Sequence, residues 1–326
     1  MAIAPRLILY ICWVDIVNTA ASLSSTTVVV PGTTANLGPG FDCLGAALTV
    51  HNQFGFRLQE TSDSAVTITV SGTEADRVNV DANNLVYQAF VKVFQFLGHA
   101  VPPVAIDIEL GVPLARGLGS SATAIVGGLM GANSLAGEPL SEAQLMELAI
   151  AMEGHPDNVV PALIGGCRLA ASRTDDSWEI CEIDWHSDIV PVVAIPNFEL
   201  STEEARRVLP SSYSRADAVF NVAHLGLLVR GLESGRGDWL ATALQDRIHQ
   251  PYRQALIRGF NAVYQSALDS GAYGLVISGA GPTLLALTSA EAAPTVEQAI
   301  QTAWAEQGIE AEVRSLAVDQ QGARLV

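Results

Sequence analysis

Lysine is almost absent from this 326-residue chain: Lys92 is the single one, and every other strongly basic side chain is an arginine. A P-loop sets a lysine directly behind its glycine-rich turn, and a protein kinase needs a strand lysine on the nucleotide phosphates. Lys92 stands in Val91-Lys92-Val93-Phe94, an amphipathic helical run, and fits neither place. Any phosphate bound here must be held by backbone N–H groups, metal and arginine. Positive charge is scarce overall, with a formal net charge of −17. That excludes nucleic acid and anionic membrane as partners, since both need basic surface. Cysteine is also sparse. Cys12, Cys43, Cys167 and Cys181 form no CxxC pair, which points to free thiols in a reducing cytosol. The 6 histidines form no HExxH motif, so a zinc centre is not expected. Long apolar runs are missing too: Ile3–Val14 is interrupted by Arg6 and is too short to span a bilayer. Residues 1–24 read as a poorly ordered extension.

What remains is a chain that is 49% apolar, enough for a sizeable core in one large or two modest domains. Thr26–Val30, Thr49–Leu58, Val66–Val70 and Val104–Leu110 read as strands. Asn84–Leu97, Ser120–Leu135 and Glu142–Met152 read as helices. Leu169–Ala171 and Glu179–Asp184 look like short strands. Ile189–Ile195 opens a second half, with a helix over Thr202–Val208 capped by Ser201 or Thr202. Two or three further helices cover Asp217–Leu268. Strands follow at Tyr273–Ile277 and Leu284–Thr288, then a helix from Thr295 and a last strand near Ala311–Leu316. Strands and helices without regular βαβ alternation predict an α+β fold with two lobes.

Three glycine-rich segments carry the chemistry. The central one is Pro113-Leu114-Ala115-Arg116-Gly117-Leu118-Gly119-Ser120-Ser121-Ala122, between a strand and a helix. Its glycines let N–H groups converge, and the helix behind offers unpaired N–H groups and a positive dipole end. That helix contains Gly127, Gly128 and Gly131. Each interior glycine costs ~1 kcal/mol relative to alanine, which is tolerable where another part of the chain must approach very closely. An earlier segment, Val30 to Asp42, holds Asn36 and Asp42 on a Gly/Pro frame suited to a small substrate. A later one, Ser278-Gly279-Ala280-Gly281-Pro282-Thr283, lies between two apolar strands and would by itself be read as a tight turn.

In order and placement the three segments resemble the motifs of the GHMP kinases, from about Thr26 to the C-terminus. The first motif, Pro-x-Thr-Thr-Ala-Asn-Leu-Gly-Pro-Gly-Phe-Asp, is most similar to the homoserine-phosphorylating branch; Gly32 departs from the more usual alanine. Glu153-Gly154-His155-Pro156-Asp157-Asn158 resembles the family's substrate and metal loop. Ser201–Pro210 resembles a helix carrying a substrate arginine. Asp246–Arg253 resembles the family's Glu-Pro-Tyr-Arg, with Gln250 in place of glutamate.

The resemblance implies a ribosomal-protein-like N-terminal domain over 25–185 and a ferredoxin-like C-terminal domain over 186–326. It implies ATP-dependent phosphorylation of the L-homoserine hydroxyl in threonine biosynthesis, in the cytoplasm, with Mg²⁺, and a homodimer as a common family trait. Backbone groups of Pro113, Leu114, Ala115, Arg116, Gly117, Leu118, Gly119, Ser120, Ser121 and Ala122 would cradle ATP, with Asn84 beside it. Ser121 and Glu153 would hold Mg²⁺ through oxygen. Asp42 would take the substrate ammonium, and Arg206 and Arg253 its carboxylate. Asn36 and His155 would shape the pocket, and Asp157 and Asn158 would act at the hydroxyl. The resemblance leaves the proton acceptor open between Asp157 and the γ-phosphate. The alternatives are a GHMP kinase for another small alcohol, a catalytically silent homologue, and a dinucleotide oxidoreductase. The intact Gly117–Ala122 stretch speaks against the second. The lack of a GxGxxG after the first strand speaks against the third.

Overall fold

The computed structural model describes residues 23–59 and 64–326, so the expected extension lies outside the described residues but for its last two. The first lobe is built on β1 (Ser25–Asn36), β2 (Gly40–Leu58), β3 (Val66–Ser71), β4 (Val104–Glu109), β5 (Cys167–Ser172) and β6 (Trp178–Ile183). It also holds α1 (Leu85–Leu97), α2 (Ser120–Leu135), α3 (Glu142–Glu153) and α4 (Pro156–Ile164). The second lobe contains β7 (Val190–Pro196), α5 (Thr202–Arg207), α6 (Arg215–Ser234), α7 (Gly237–Ala243), α8 (Gln250–Arg253) and α9 (Phe260–Asp269). It continues through β8 (Gly274–Ile277), β9 (Leu284–Thr288), α10 (Ala293–Glu306) and β10 (Ala311–Ser315). A final strand, β11 (Arg324–Leu325), returns to the first lobe.

The larger sheet runs β11-β1-β2-β4-β3, with β5 on the first half of β2 and β6 beyond it; only β3–β4 is parallel. The smaller sheet runs β10-β7-β9-β8, antiparallel throughout. Two lobes of mixed α and β are as expected. Three differences bear on the site. The Pro31–Asn36 segment, expected as a loop, is strand, with register breaks after Pro31 and Ala35; a bulge tolerates the missing proline N–H. Glu153–Asn158 is not one loop, because α4 begins at Pro156. Four α-helices, not two or three, fill Asp217–Leu268, since Gly235 and the Asp246–His249 turn break the run.

The first core lies between α1–α4 and the larger sheet, around Phe54, Phe56, Phe90, Ile106 and Leu129. Here the glycines of α2 find their reason. A Cβ on Gly128 would sit 2.3 Å from the Val86 carbonyl oxygen, and on Gly127 and Gly131 it would strike the rings of Phe54 and Phe56. A second core joins Leu37, Leu44, Leu48 and Leu118 to Leu228, Leu240 and Leu285. It crosses the lobes, so their junction is continuously apolar. A third core, with Trp304 fully buried, backs the smaller sheet.

Candidate active site

The three glycine-rich segments meet at that junction. The Leu118 carbonyl accepts the Thr33 N–H, and the Gly279 N–H donates to the Ala35 carbonyl, both at 3.0 Å. Ser278 Oγ donates to the Gly117 carbonyl at 2.7 Å. Gly117 has φ 77°, and a Cβ there would lie 2.3 Å from the Ser278 carbonyl oxygen; no other residue type fits. The third segment is therefore a structural wedge behind the phosphate-type turn and not merely a tight turn.

Above the junction lies a cavity of about 540 Å³. One end is formed by the N-terminus of α2. Its N-cap is Gly119, in the left-handed region, and no side chain caps the helix. The first-turn N–H groups thus keep the capacity to bind an anion. Leu114, Ala115, Arg116, Gly117, Gly119, Ser120 and Ser121 line the cavity; Pro113, Leu118 and Ala122 do not, the last two lying in the core. Arg116 is held by the protein itself. It donates to the Leu114 and Pro196 carbonyls at 2.8 and 3.2 Å, and pairs with Glu74 and Glu199 at 3.4 and 3.2 Å. Asn84 reaches the same end, but its carbonyl caps α1 through the Val86 and Tyr87 N–H groups, and its amide donates to the Asn79 carbonyl.

In the middle, Ser121 Oγ donates to Glu153 Oε2 at 2.9 Å. Burial raises the Glu153 pKa, with Asp157 adding to it; the Ser121 hydrogen bond, His155 and Arg206 only partly oppose this. A carboxylate so placed gains from a cation, and two hard oxygens side by side fit Mg²⁺. Next to them, α4 presents Asp157 and Asn158 from its first turn. It can do so because Gly45 of β2 has no side chain; a Cβ there would lie 1.7 Å from the Asp157 carbonyl oxygen. Thr33 Oγ1 donates to Asn158 Oδ1 at 2.7 Å, and Asn158 Nδ2 donates to Asp157 Oδ1 at 3.2 Å.

His155 Nδ1 lies 2.6 Å from the same Asp157 oxygen. Burial pushes the His155 pKa down, but the Asp157 hydrogen bond and charge, with Glu153 and Asp42, outweigh it and leave the value raised. The sign of a test follows. Asp157→Asn removes the chief stabiliser of the imidazolium, so His155 should titrate at lower pH than in the parent protein. Proton NMR of the His155 ring reads this directly, and an unmoved midpoint would break the pairing.

The far end is ionic. Arg206 of α5 forks onto Asp42 of β2 with NH2–Oδ1 at 2.8 Å and NH1–Oδ2 at 3.0 Å. Arg253 is buried, at 2% exposure. Its Nε donates to the Ala205 carbonyl and its NH1 to the Gly279 carbonyl, each at 3.1 Å, which leaves NH2 for a ligand. Asn36 ties the loops together, donating to the Gly279 carbonyl at 2.8 Å and accepting the Asp42 N–H at 3.0 Å. Asp42, His155 and Asp157 offer ligand atoms within 4.8 Å of one another. With a guanidinium on Asp42 and an imidazole on Asp157, this trio suits an ammonium group better than a metal ion. All the side chains singled out for substrate and metal, Asn36, Asp42, Ser121, Glu153, His155, Asp157, Asn158, Arg206 and Arg253, line the one cavity.

Sequence reasoning missed three kinds of contributor. Phe41 stands inside the first motif yet received no role; its ring lies 5.1 Å from the Arg253 guanidinium carbon and 5.7 Å from that of Arg206. Arg77, Val78, Asn79 and Val86 line the end beside α2; the asparagine cluster Asn79, Asn83 and Asn84 was the available signal. Glu74 accepts the Leu114 N–H at 2.7 Å, and no local pattern marks it.

Comparison with known proteins identifies the family and the fold. Residues 84–166 match the family of GHMP kinase N-terminal domains, and residues 228–306 match the GHMP kinase C-terminal family. The chain is 67% identical over 301 residues to a homoserine kinase of Trichormus variabilis, covering 92% of this chain and 99% of that one. It is 62% identical to one of Crocosphaera subtropica, covering 93% and 98%. The crystal structure of a homoserine kinase from Cytophaga hutchinsonii superposes with a TM-score of 0.84 at 32% identity, over 93% of this chain and 98% of that one. A mevalonate kinase of L. major shares the fold, at a TM-score of 0.67 and 15% identity, over 91% and 97%.

Proposed function

This chain belongs to the homoserine kinases of the GHMP kinase superfamily, and we propose that its cleft holds MgATP against α2 and L-homoserine between β2, α5 and α8. Supporting this is one arrangement: an uncapped helix N-terminus and a zwitterion-sized ionic end share a single cavity, with Asp157 and Asn158 between them. The hydroxyl oxygen of homoserine forms a bond to the γ-phosphorus as the bond to the bridging oxygen breaks. ADP and O-phospho-L-homoserine result, and the hydroxyl proton is released.

Phosphoryl transfer asks for alignment and charge neutralisation more than covalent help. First-turn N–H groups of α2 and the Gly117–Ser121 backbone hold phosphate oxygens. Ser121 and Glu153 are the oxygens that would hold Mg²⁺, which when bound supplies the charge neutralisation that lysine does not. Asp157 and Asn158, fixed by His155 and Thr33, orient the hydroxyl. Asp42 receives the ammonium and Arg206 and Arg253 the carboxylate. Without ligand, Asp42 and Arg206 neutralise each other across the lobes; a zwitterion offers each an opposite charge in exchange, whereas a singly charged ligand leaves one uncompensated.

Among the described residues no helix is long and apolar enough to cross a membrane. We place the enzyme in the cytosol, where free thiols such as Cys43, Cys167 and Cys181 persist. The deciding experiment measures ATP consumption with homoserine, 3-aminopropan-1-ol, 4-hydroxybutyrate and mevalonate side by side. Homoserine should be turned over far faster than either singly charged analogue. Preference for mevalonate would sink the assignment.

A further inference from the structure

His249 is completely buried and stands four positions before Arg253. The turn that places it is fixed by Asp246, whose carboxylate accepts the N–H groups of Ile248, His249 and Gln250 at 3.0, 2.8 and 2.7 Å and the Asn221 amide at 2.7 Å. Each ring nitrogen of His249 then meets a group of fixed hydrogen-bonding sense. Nε2 lies 2.9 Å from the Gly38 carbonyl oxygen, which can only accept, so Nε2 carries the proton. Nδ1 therefore shows its lone pair to NH1 of Arg253 at 3.4 Å, and a guanidinium can only donate. Asp246 Oδ2 is 3.7 Å from Nε2, beyond hydrogen-bond reach. Phe41 stacks on the imidazole, with ring centroids 5.1 Å apart, and lies equally close to the Arg253 guanidinium carbon. Burial pushes the His249 pKa down and Arg253 acts in the same sense, against Asp246, the Gly38 carbonyl and Asp42.

The imidazole is thus a bridge. On one side is Gly38, in the β1–β2 turn between Asn36 and Asp42; on the other is Arg253, which lines the cavity. We propose that His249, through its Nε2–H tautomer, is a positioning residue that sets the Arg253 guanidinium against the Gly38–Asp42 loop, so that the carboxylate and ammonium of the amino-acid substrate are gripped in register. The proposal rests on the reading of Arg253 as the carboxylate ligand. His249 itself touches no substrate.

The test compares His249→Leu, His249→Gln and Arg253→Leu with homoserine and with 3-aminopropan-1-ol, which is homoserine without its carboxylate. His249→Leu should lose about tenfold in kcat/KM for homoserine, mostly in KM, and about twofold or less for 3-aminopropan-1-ol, with the ATP KM unmoved. His249→Gln, whose amide can still donate to Gly38, should recover most of the loss. Equal losses on both acceptors, or a parallel rise in the ATP KM, would reduce His249 to a core-packing role and overturn the proposal. Equal losses on both acceptors in Arg253→Leu would instead overturn the assignment of Arg253. A second measurement needs no unfolding-prone variant. Nitrogen-15 NMR of the histidines, with His249 identified by the resonance missing in His249→Gln, should show a neutral Nε2–H ring that does not titrate at neutral pH. An Nδ1–H tautomer or an imidazolium there would overturn it equally.

Discussion

Replacing Arg253 by leucine should raise the KM for homoserine by roughly ten- to a hundredfold, because a charge-assisted hydrogen bond is worth ~1.5–3 kcal/mol and ~1.4 kcal/mol is tenfold. The ATP KM should barely move, since the end of the cavity proposed for phosphate is built from α2 and its preceding turn. Arg253 also satisfies the Ala205 and Gly279 carbonyls, and leucine leaves both without that donor. Some loss of melting temperature is therefore expected, and the kinetic claim is read as a ratio on folded protein. With 3-aminopropan-1-ol the ratio of wild type to variant should be near one, because the interaction removed has no counterpart in that substrate. Additive losses from removing the carboxylate and the arginine would mean that the two never meet. Arg206 would then stand as the carboxylate ligand, since Arg207 is exposed and does not line the cavity.

The parts of this site that were legible in the sequence are those encoded over a few neighbouring residues. A glycine-rich turn before a helix announces converging N–H groups, and Gly127, Gly128 and Gly131 announce a close approach, found at Val86, Phe54 and Phe56. What was not legible depends on distant pairing. Arg206 and Asp42 are 164 positions apart, so no spacing shows that they neutralise each other. Arg116 carries a charge suited to phosphate, yet Glu74 and Glu199 hold it from two other segments. Local signals also misled where they conflicted. Pro156 and Pro161 hide α4, although proline at a first helical turn needs no N–H partner. Two-residue β11 is too short to carry any periodicity, and only its pairing with Val28 and Val29 makes it a strand.

Glu153→Gln should reduce turnover by about a hundredfold or more, the scale seen when one preorganised electrostatic contact to a transition state is lost. Phosphate charge at this site has no lysine to meet it, and Arg116 is engaged elsewhere, so the oxygens of Ser121 and Glu153 bear on the reaction through the cation they would hold. Glutamine keeps the shape of the side chain and can still accept from Ser121 Oγ, so the fold should be undisturbed. ATP binding measured without Mg²⁺ should change little, while the Mg²⁺ concentration giving half-maximal rate should rise steeply. The pH profile supplies a second reading. Burial raises the Glu153 pKa while no cation is bound, so at limiting Mg²⁺ the parent enzyme's carboxylate is lost on acidification at higher pH than an exposed glutamate would be, and activity should fall with it. In the glutamine variant that acid limb should disappear, leaving a low rate that no longer depends on this ionisation. Turnover kept near the parent level at ordinary Mg²⁺, with the acid limb intact, would remove Glu153 from the metal site and leave Ser121 without its partner there.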